Sequence, residues 1–266
     1  IHGKEVNLPP LEFQEYDLAV WEKSLEGTDV EKRLVDFWTT NLEGCSPVLN
    51  FPYDYQRNEQ PSNRGSQVSL KLTKELTGKI KKLAKKEGTS LFTTLLTAFG
   101  IELHKYSGEY DINIGLWVAN RPHTKLENVF GLFVNTIIAR LQYDKDLTFN
   151  DALHLTNQSA LNAISHQDLS FDKVVGIVNP ERTSNVNPLF QVVFAWQDNL
   201  GMSINLEGVK DEQVIENERS ITFDITLSLW ESDEAIQGIF EYNVDILKDS
   251  SVVRLKNNYI HLLELL

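Results

Sequence analysis

The stretch NAISHQDLSFDKVV, residues 162–175, sets His166 two places before Asp168. An imidazole oriented by a carboxylate is a common device for taking a proton from a nucleophile. On one helix, however, positions i and i+2 stand about 200° apart around the axis, so the two side chains would not face each other. No serine or cysteine in a nucleophile elbow accompanies them. The spacing fits a helix end better: Asp168 turns back to cap the next helix, and His166 bonds a backbone group. Both are read as structural, or as lining a substrate passage, and no catalytic residue is assigned.

The remaining candidates are thinner. Cys45 is the single cysteine, and it sits in a Pro- and Gly-containing loop with no histidine nearby. His2, His104, His123, His154 and His261 show no helical i, i+4 metal pair, and the isolated glycines form no phosphate loop. The five tryptophans do not alternate with basic residues, as a base-stacking surface would require. Two residues resist a bland reading. Arg121 in ANRPH ends a strand just before a proline, where a buried or half-buried partner is expected. Asn135 in FGLFVNT stands in an apolar strand start, where an unpaired amide costs about 1–3 kcal/mol. Each either binds something or fixes a neighbouring loop.

These residues belong to a 266-residue chain that is 41% hydrophobic, enough for a substantial core. No apolar run approaches the ~18 residues of a membrane span. One cysteine excludes an internal disulfide framework and favours a reducing, cytoplasmic home. The formal charge of −13 argues against nucleic acid as a partner. One local exception is KLTKELTGKIKKLAKKEG, 71–88, with seven lysines against two glutamates. It reads as the wet side of an amphipathic helix, or as a docking patch for something acidic. The chain opens on Ile1 rather than Met, so its visible start is not read as a natural one.

Residues 1–12 read as a linker through Pro9 and Pro10, and 13–43 as helical with a break at Gly27 and Asp29. Phe13, Tyr16, Leu18, Trp21 and Leu25 set the first helical pattern, and Leu34, Trp38 and Leu42 the second. Residues 44–65 are irregular. A strand over 66–73, a helix over 75–87 and a helix after Thr89 or Ser90 follow; the last is apolar almost all round and is expected to be central. Strands are expected at 111–120 and 133–143, a helix at 149–165 carrying Leu153, Leu161 and Ile164, and a short helix from Ser170. Beyond 189 the period falls to two, giving strand candidates LFQVVFAWQD, GMSINLEGV, SITFDITLSLWE and AIQGIFEYNVDI, before a closing helix at 250–266. In the third, Ile221, Phe223, Ile225, Leu227 and Leu229 are expected inward, with Asp224, Thr226 and Ser228 opposite. The fold class is α/β, a mixed sheet with packed helices.

Five segments, in order, carry a resemblance: FQEYDLAVWEKSL (13–25), GEYDINIGLWVANR (108–121), VFGLFVNTIIAR (129–140), HQDLSFD (166–172) and ERTSNVNPLFQVVF (181–194), which contains Asn187. The chain resembles the condensation domain of nonribosomal peptide synthetases. The resemblance implies a chloramphenicol acetyltransferase-like fold of two αβ subdomains with a tunnel between them. It implies amide formation between acyl and aminoacyl thioesters carried on the phosphopantetheine arms of peptidyl and aminoacyl carrier proteins, with no cofactor on the chain itself. The family's catalytic motif, two adjacent histidines followed after three residues by Asp-Gly, does not occur here. The chain therefore resembles the C-terminal subdomain (66–266) with the preceding linker and helices (1–65), and it is expected to be inactive without its N-terminal subdomain. Arg121 resembles the arginine that pairs with the motif's aspartate, and here would lack that partner. Asn135, His166, Asp168 and Asn187 fall in structural or channel-lining signatures. FGLFVNT favours condensation over epimerization. The alternatives are a non-catalytic module docking a carrier protein or an enzyme, and a self-associating acyltransferase.

Overall fold

The computed structural model describes residues 10–121, 123–180, 185–197 and 219–266. The strand candidate GMSINLEGV, Pro122, and the ERTS of the fifth resembling segment lie outside the described residues.

Two helices open the chain, α1 (Glu15–Ser24) and α2 (Asp29–Asn41). The Gly27–Asp29 break is chemical as well as conformational. Gly27 takes φ +74°, Thr28 Oγ1 accepts from Glu31 N at 3.3 Å, and the Glu31 carboxylate accepts from Gly27 N at 2.7 Å. After the irregular stretch come β1 (Arg64–Lys71), α3 (Lys74–Lys86), α4 (Leu91–Ser107) and β2 (Asp111–Val118). Thr73 caps α3 through Leu76 N, Ser90 caps α4 through Thr93 N, and Gly108 at φ +73° stops α4. A 3₁₀ turn (Thr124–Leu126), β3 (Asn135–Gln142), α5 (Phe149–Ser165) and α6 (Phe171–Val178) follow. The chain ends with β4 (Val192–Trp196), β5 (Arg219–Ser220), β6 (Ile225–Ser232), β7 (Ala235–Asn243) and α7 (Asp249–Glu264).

Among the described residues the strands form one seven-stranded sheet, ordered β3-β2-β4-β6-β7-β1-β5. β4 runs parallel to both β2 and β6, and the other pairs are antiparallel. The mixed sheet with packed helices agrees with the expected class. The α4 helix is the hub: Leu95, Leu96, Ala98, Phe99 and Leu103 are fully buried, and Phe99 meets the rings of Phe194, Phe240 and Tyr259. On the opposite face Phe190 lies over Gly115, where a Cβ would collide with the ring, and Phe171 at the start of α6 packs on Phe190. Leu34, Trp38, Leu42, Leu49 and Phe51 join this same core, so α2 and the irregular stretch after it are bound into it.

Four expectations change. In α1 only Leu18 is buried; Tyr16, Val20 and Trp21 face solvent. In α5 the buried face runs through Ala152, Leu153, Thr156, Ala160 and Ala163, leaving Leu161 and Ile164 exposed, because small residues are needed where the helix lies close on β3 and α4. The strand expected from Ser220 is split: Ser220 ends the short β5 against β1, and the long strand β6 begins at Ile225. Finally, Asp224, Thr226 and Ser228 are buried as deeply as their apolar neighbours, since β6 lies between β4 and β7 with both faces covered. No helix is long and apolar enough to cross a membrane, among the described residues.

Candidate functional site

The HQD segment forms the corner between α5 and α6. His166 is the C-cap residue of α5. Its Nδ1 bonds Asn162 O at 2.7 Å, its ring stacks on Phe37 with centroids 3.7 Å apart, and its own carbonyl accepts from Trp38 Nε1 at 3.1 Å. The imidazole thus closes a helix end and seats α2. Asp168 does not cap α6. Ser170 occupies the N-cap position without a side-chain bond, and the first helical amide, Phe171 N, is accepted instead by Asn135 Oδ1 at 3.2 Å. Asp168 makes no hydrogen bond or ion pair among the described residues, and burial pushes its carboxyl above the ordinary range.

Asn135 organises the corner. Its Nδ2 donates to Gln167 O at 2.7 Å and Leu169 O at 3.0 Å, and its Oδ1 also accepts from Thr136 N at 2.8 Å. Two donated and two accepted bonds exhaust the amide. The buried-amide requirement is met by the very loop that HQDLSFD forms.

Arg121 is turned toward its own loop. Nη1 donates to the carbonyls of Leu126 and Val129, the latter at 2.9 Å, and the guanidinium lies 4.1 Å from the Phe133 ring centroid. Leu18, Leu126, Val129 and Phe133 form a small separate core under it. The charge is therefore not stranded: main-chain carbonyls take the place of a carboxylate. Segment 129–134 presents two faces. Val129 and Phe133 go inward, while Phe130, Leu132 and Val134 are 97%, 82% and 57% exposed.

Asn187 Nδ2 donates to Thr222 O at 2.5 Å, and its carbonyl accepts from Gln191 Nε2 at 2.9 Å. Gln191, fully buried, also donates to Pro47 O and accepts from Leu49 N. Beside them Trp117, Phe223, Phe190 and Phe171 form a row of rings 5.2–6.4 Å apart, with Trp117 at the exposed end.

The sequence reading missed a buried triad. Asp224 takes a fork of two bonds from Arg57, one at 2.7 Å and one shorter, and a 2.5 Å bond from Tyr53 Oη. Burial, with the neighbouring carboxylate, drives the Tyr53 hydroxyl pKa far upward. Tyr53 and Arg57 lie in the irregular stretch, so this triad clamps it to the sheet. The available signal was a carboxylate standing inside a period-two apolar run.

The family-model comparison matches the condensation domain over residues 1–266. The chain belongs to the condensation-domain family. It is 35% identical over 259 residues to malpinin synthetase of Mortierella alpina, covering 97% of this chain and 3% of that protein. A four-domain nonribosomal peptide synthetase bound to AMP and glycine superposes with a TM-score of 0.82 at 26% identity, over 91% of this chain and 20% of that one. The X-domain from teicoplanin biosynthesis superposes with a TM-score of 0.83 at 21% identity, over 97% of this chain and 60% of that chain. This chain thus spans a small part of the synthetases it matches, and its fold is the chloramphenicol acetyltransferase-like fold of condensation domains.

Proposed function

We propose that this chain is one wall of an amide-forming condensation centre, working on acyl and aminoacyl thioesters tethered to carrier proteins by phosphopantetheine. The observation that carries the reading is the exposed apolar face of Phe130, Leu132 and Val134, next to the loop stapled by Arg121. Water-facing Phe and Leu side chains on a segment whose alternate residues are packed mark a surface made to be covered. The N-terminal subdomain, bringing the adjacent histidines, is the body that covers it. On this reading residues 1–65 are the approach and 66–266 the subdomain.

On this reading the chain supplies shape rather than proton transfer. Asn135, His166 and Asn187 hold the corner and the strand start, and Trp117 with Phe223 offers an apolar ledge to the passage. Arg121 exchanges a carbonyl for the incoming aspartate when the second wall closes. Asp168 stands beside the wall without a partner. The unpaired Cys45 supports a cytoplasmic setting.

The test uses two loaded carrier proteins. The chain alone should leave amide formation at the rate of uncatalysed aminolysis. Adding the upstream half as a separate polypeptide should restore turnover. Amide formation by the chain alone, well above the uncatalysed rate, would refute the one-wall reading.

A further inference from the structure

The geometry points to Trp117 and Phe223 as the residues that set side-chain preference at this wall, an inference that rests on the one-wall reading. They receive an aromatic ring carried by one of the two thioesters. Trp117 is the penultimate residue of β2 and is 38% exposed. Its ring centroid lies 6.4 Å from that of Phe223, Phe223 lies 5.3 Å from Phe190, and Phe190 lies 5.2 Å from Phe171. All three spacings fall in the range of attractive aromatic pairs. The series runs outward from the core and stops at an open indole.

The row is anchored from inside. Phe190 is fully buried over Gly115, where an added Cβ would meet its ring at 2.4 Å. Phe223 stacks on Phe190 with 27° between the planes, and Trp117 meets Phe223 at 55°. An indole braced in this way loses little rotamer freedom when another ring lands on it, which is the main ordering cost of such a contact. There is room for the ring. Trp117 stands opposite Thr136 on β3, and Thr136 and Phe171 both line a cavity of about 400 Å³. That volume lies within the range of small-molecule sites.

The chemistry of the occupant follows from the ledge's own. The charged neighbours of Phe223 and Trp117 in sequence are engaged elsewhere: Asp224 by Arg57 and Tyr53, and Arg121 by the carbonyls of Leu126 and Val129. A charged side chain would give up hydration there without gaining a counter-ion. An aliphatic side chain would gain only from covered area, whereas an aromatic ring adds the ring-on-ring attraction. Stacking reads a flat face rather than a hydrogen-bond pattern, so Phe, Tyr and Trp side chains all qualify. Two sources share this chemistry, the aminoacyl thioester and the acyl thioester.

The experiment has a binding arm and a turnover arm. In the first, the ¹⁵N-labelled full chain is titrated with amide analogues of phenylalanyl-, alanyl- and aspartyl-pantetheine, read at the Trp117 indole N–H and the backbone amides beside it. The phenylalanyl analogue should bind about tenfold more tightly than the alanyl one, the scale of one ring-on-ring contact, and the aspartyl analogue no more tightly than the alanyl. Trp117→Leu and Phe223→Leu should each bring that ratio close to one, and Trp117→Tyr should keep most of it. Each variant is checked for an unchanged spectrum elsewhere. Equal affinity for the phenylalanyl and alanyl analogues, or a ratio preserved in both leucine variants, overturns the proposal. In the second arm the upstream half is added, and phenylalanine replaces alanine on one carrier at a time. The carrier at which Trp117→Leu lowers the aromatic-to-alanine rate ratio identifies the source, and a ratio unmoved at both carriers also overturns the proposal. Absence of turnover in that mixture counts against the one-wall reading instead, and the binding arm then decides the ledge by itself.

Discussion

Glu102 offers the sharpest test of the packing argument. It lies on α4 among fully buried apolar neighbours, is 4% exposed, and neither carboxyl oxygen has a hydrogen-bond partner. Burial holds its pKa well above the ordinary 4.5. The consequence for stability has a definite sign. Between the unfolded pKa and the raised folded one, the unfolded chain has lost a proton that the folded chain keeps. Unfolding free energy then falls as pH rises, by about 1.4 kcal/mol per pH unit. The penalty is absent below the unfolded pKa and complete above the folded one. Glu102→Gln removes the titration and keeps the shape. Urea unfolding of both proteins across pH 4–8 should therefore give two curves that coincide in acid and separate by that slope above 4.5. Other carboxylates, such as Asp245 and Glu31, are held below their ordinary values and pull the opposite way, but they cancel in the difference. Glu102→Met should exceed Glu102→Gln in stability at neutral pH, because it leaves no buried amide unsatisfied. Parallel curves for wild type and Glu102→Gln would refute a protonated buried carboxyl.

Two further substitutions test the polar joints. Asp224→Ala strands the Arg57 guanidinium and the Tyr53 hydroxyl and should cost about 3 kcal/mol in denaturant unfolding; adding Arg57→Met should recover part of it, whereas simple additivity would show that the pair is uncoupled. Asn135→Leu removes four hydrogen bonds at once and should cost about 3 kcal/mol, with amide exchange accelerating first at residues 166–171; protection there equal to wild type would remove Asn135 as the organiser of the corner.

Much of the fold could be read locally because local chemistry decides it. Thr28, Thr73, Ser90 and Thr148 each mark a helix start and each accepts the expected amide, and the all-round apolar face of α4 does place it at the centre. Periodicity failed where a side chain's surroundings come from far along the chain. Trp21 and Tyr16 have the helical spacing of core residues, yet among the described residues no element covers that face of α1. Asp224 has the alternation of a solvent-facing residue, yet its partners Arg57 and Tyr53 lie 167 and 171 positions away.

The candidate site divides in the same way. Asn135 was conspicuous because an amide in an apolar strand start needs partners, and those partners prove to be the carbonyls of the nearby HQD corner. Asn120 was inconspicuous, one polar residue before Arg121 in a loop, and its burial with an unpaired Oδ1 sets it apart. His166 and Asp168, adjacent in any reading for chemistry, are separated by the turn that joins α5 to α6. The imidazole goes to a helix end and a phenyl ring, the carboxylate to a groove. A catalytic dyad needs its members on facing surfaces, and a helix-terminating corner sends neighbouring side chains apart. The segment therefore carries a histidine that closes a helix end and, among the described residues, an acid without a partner.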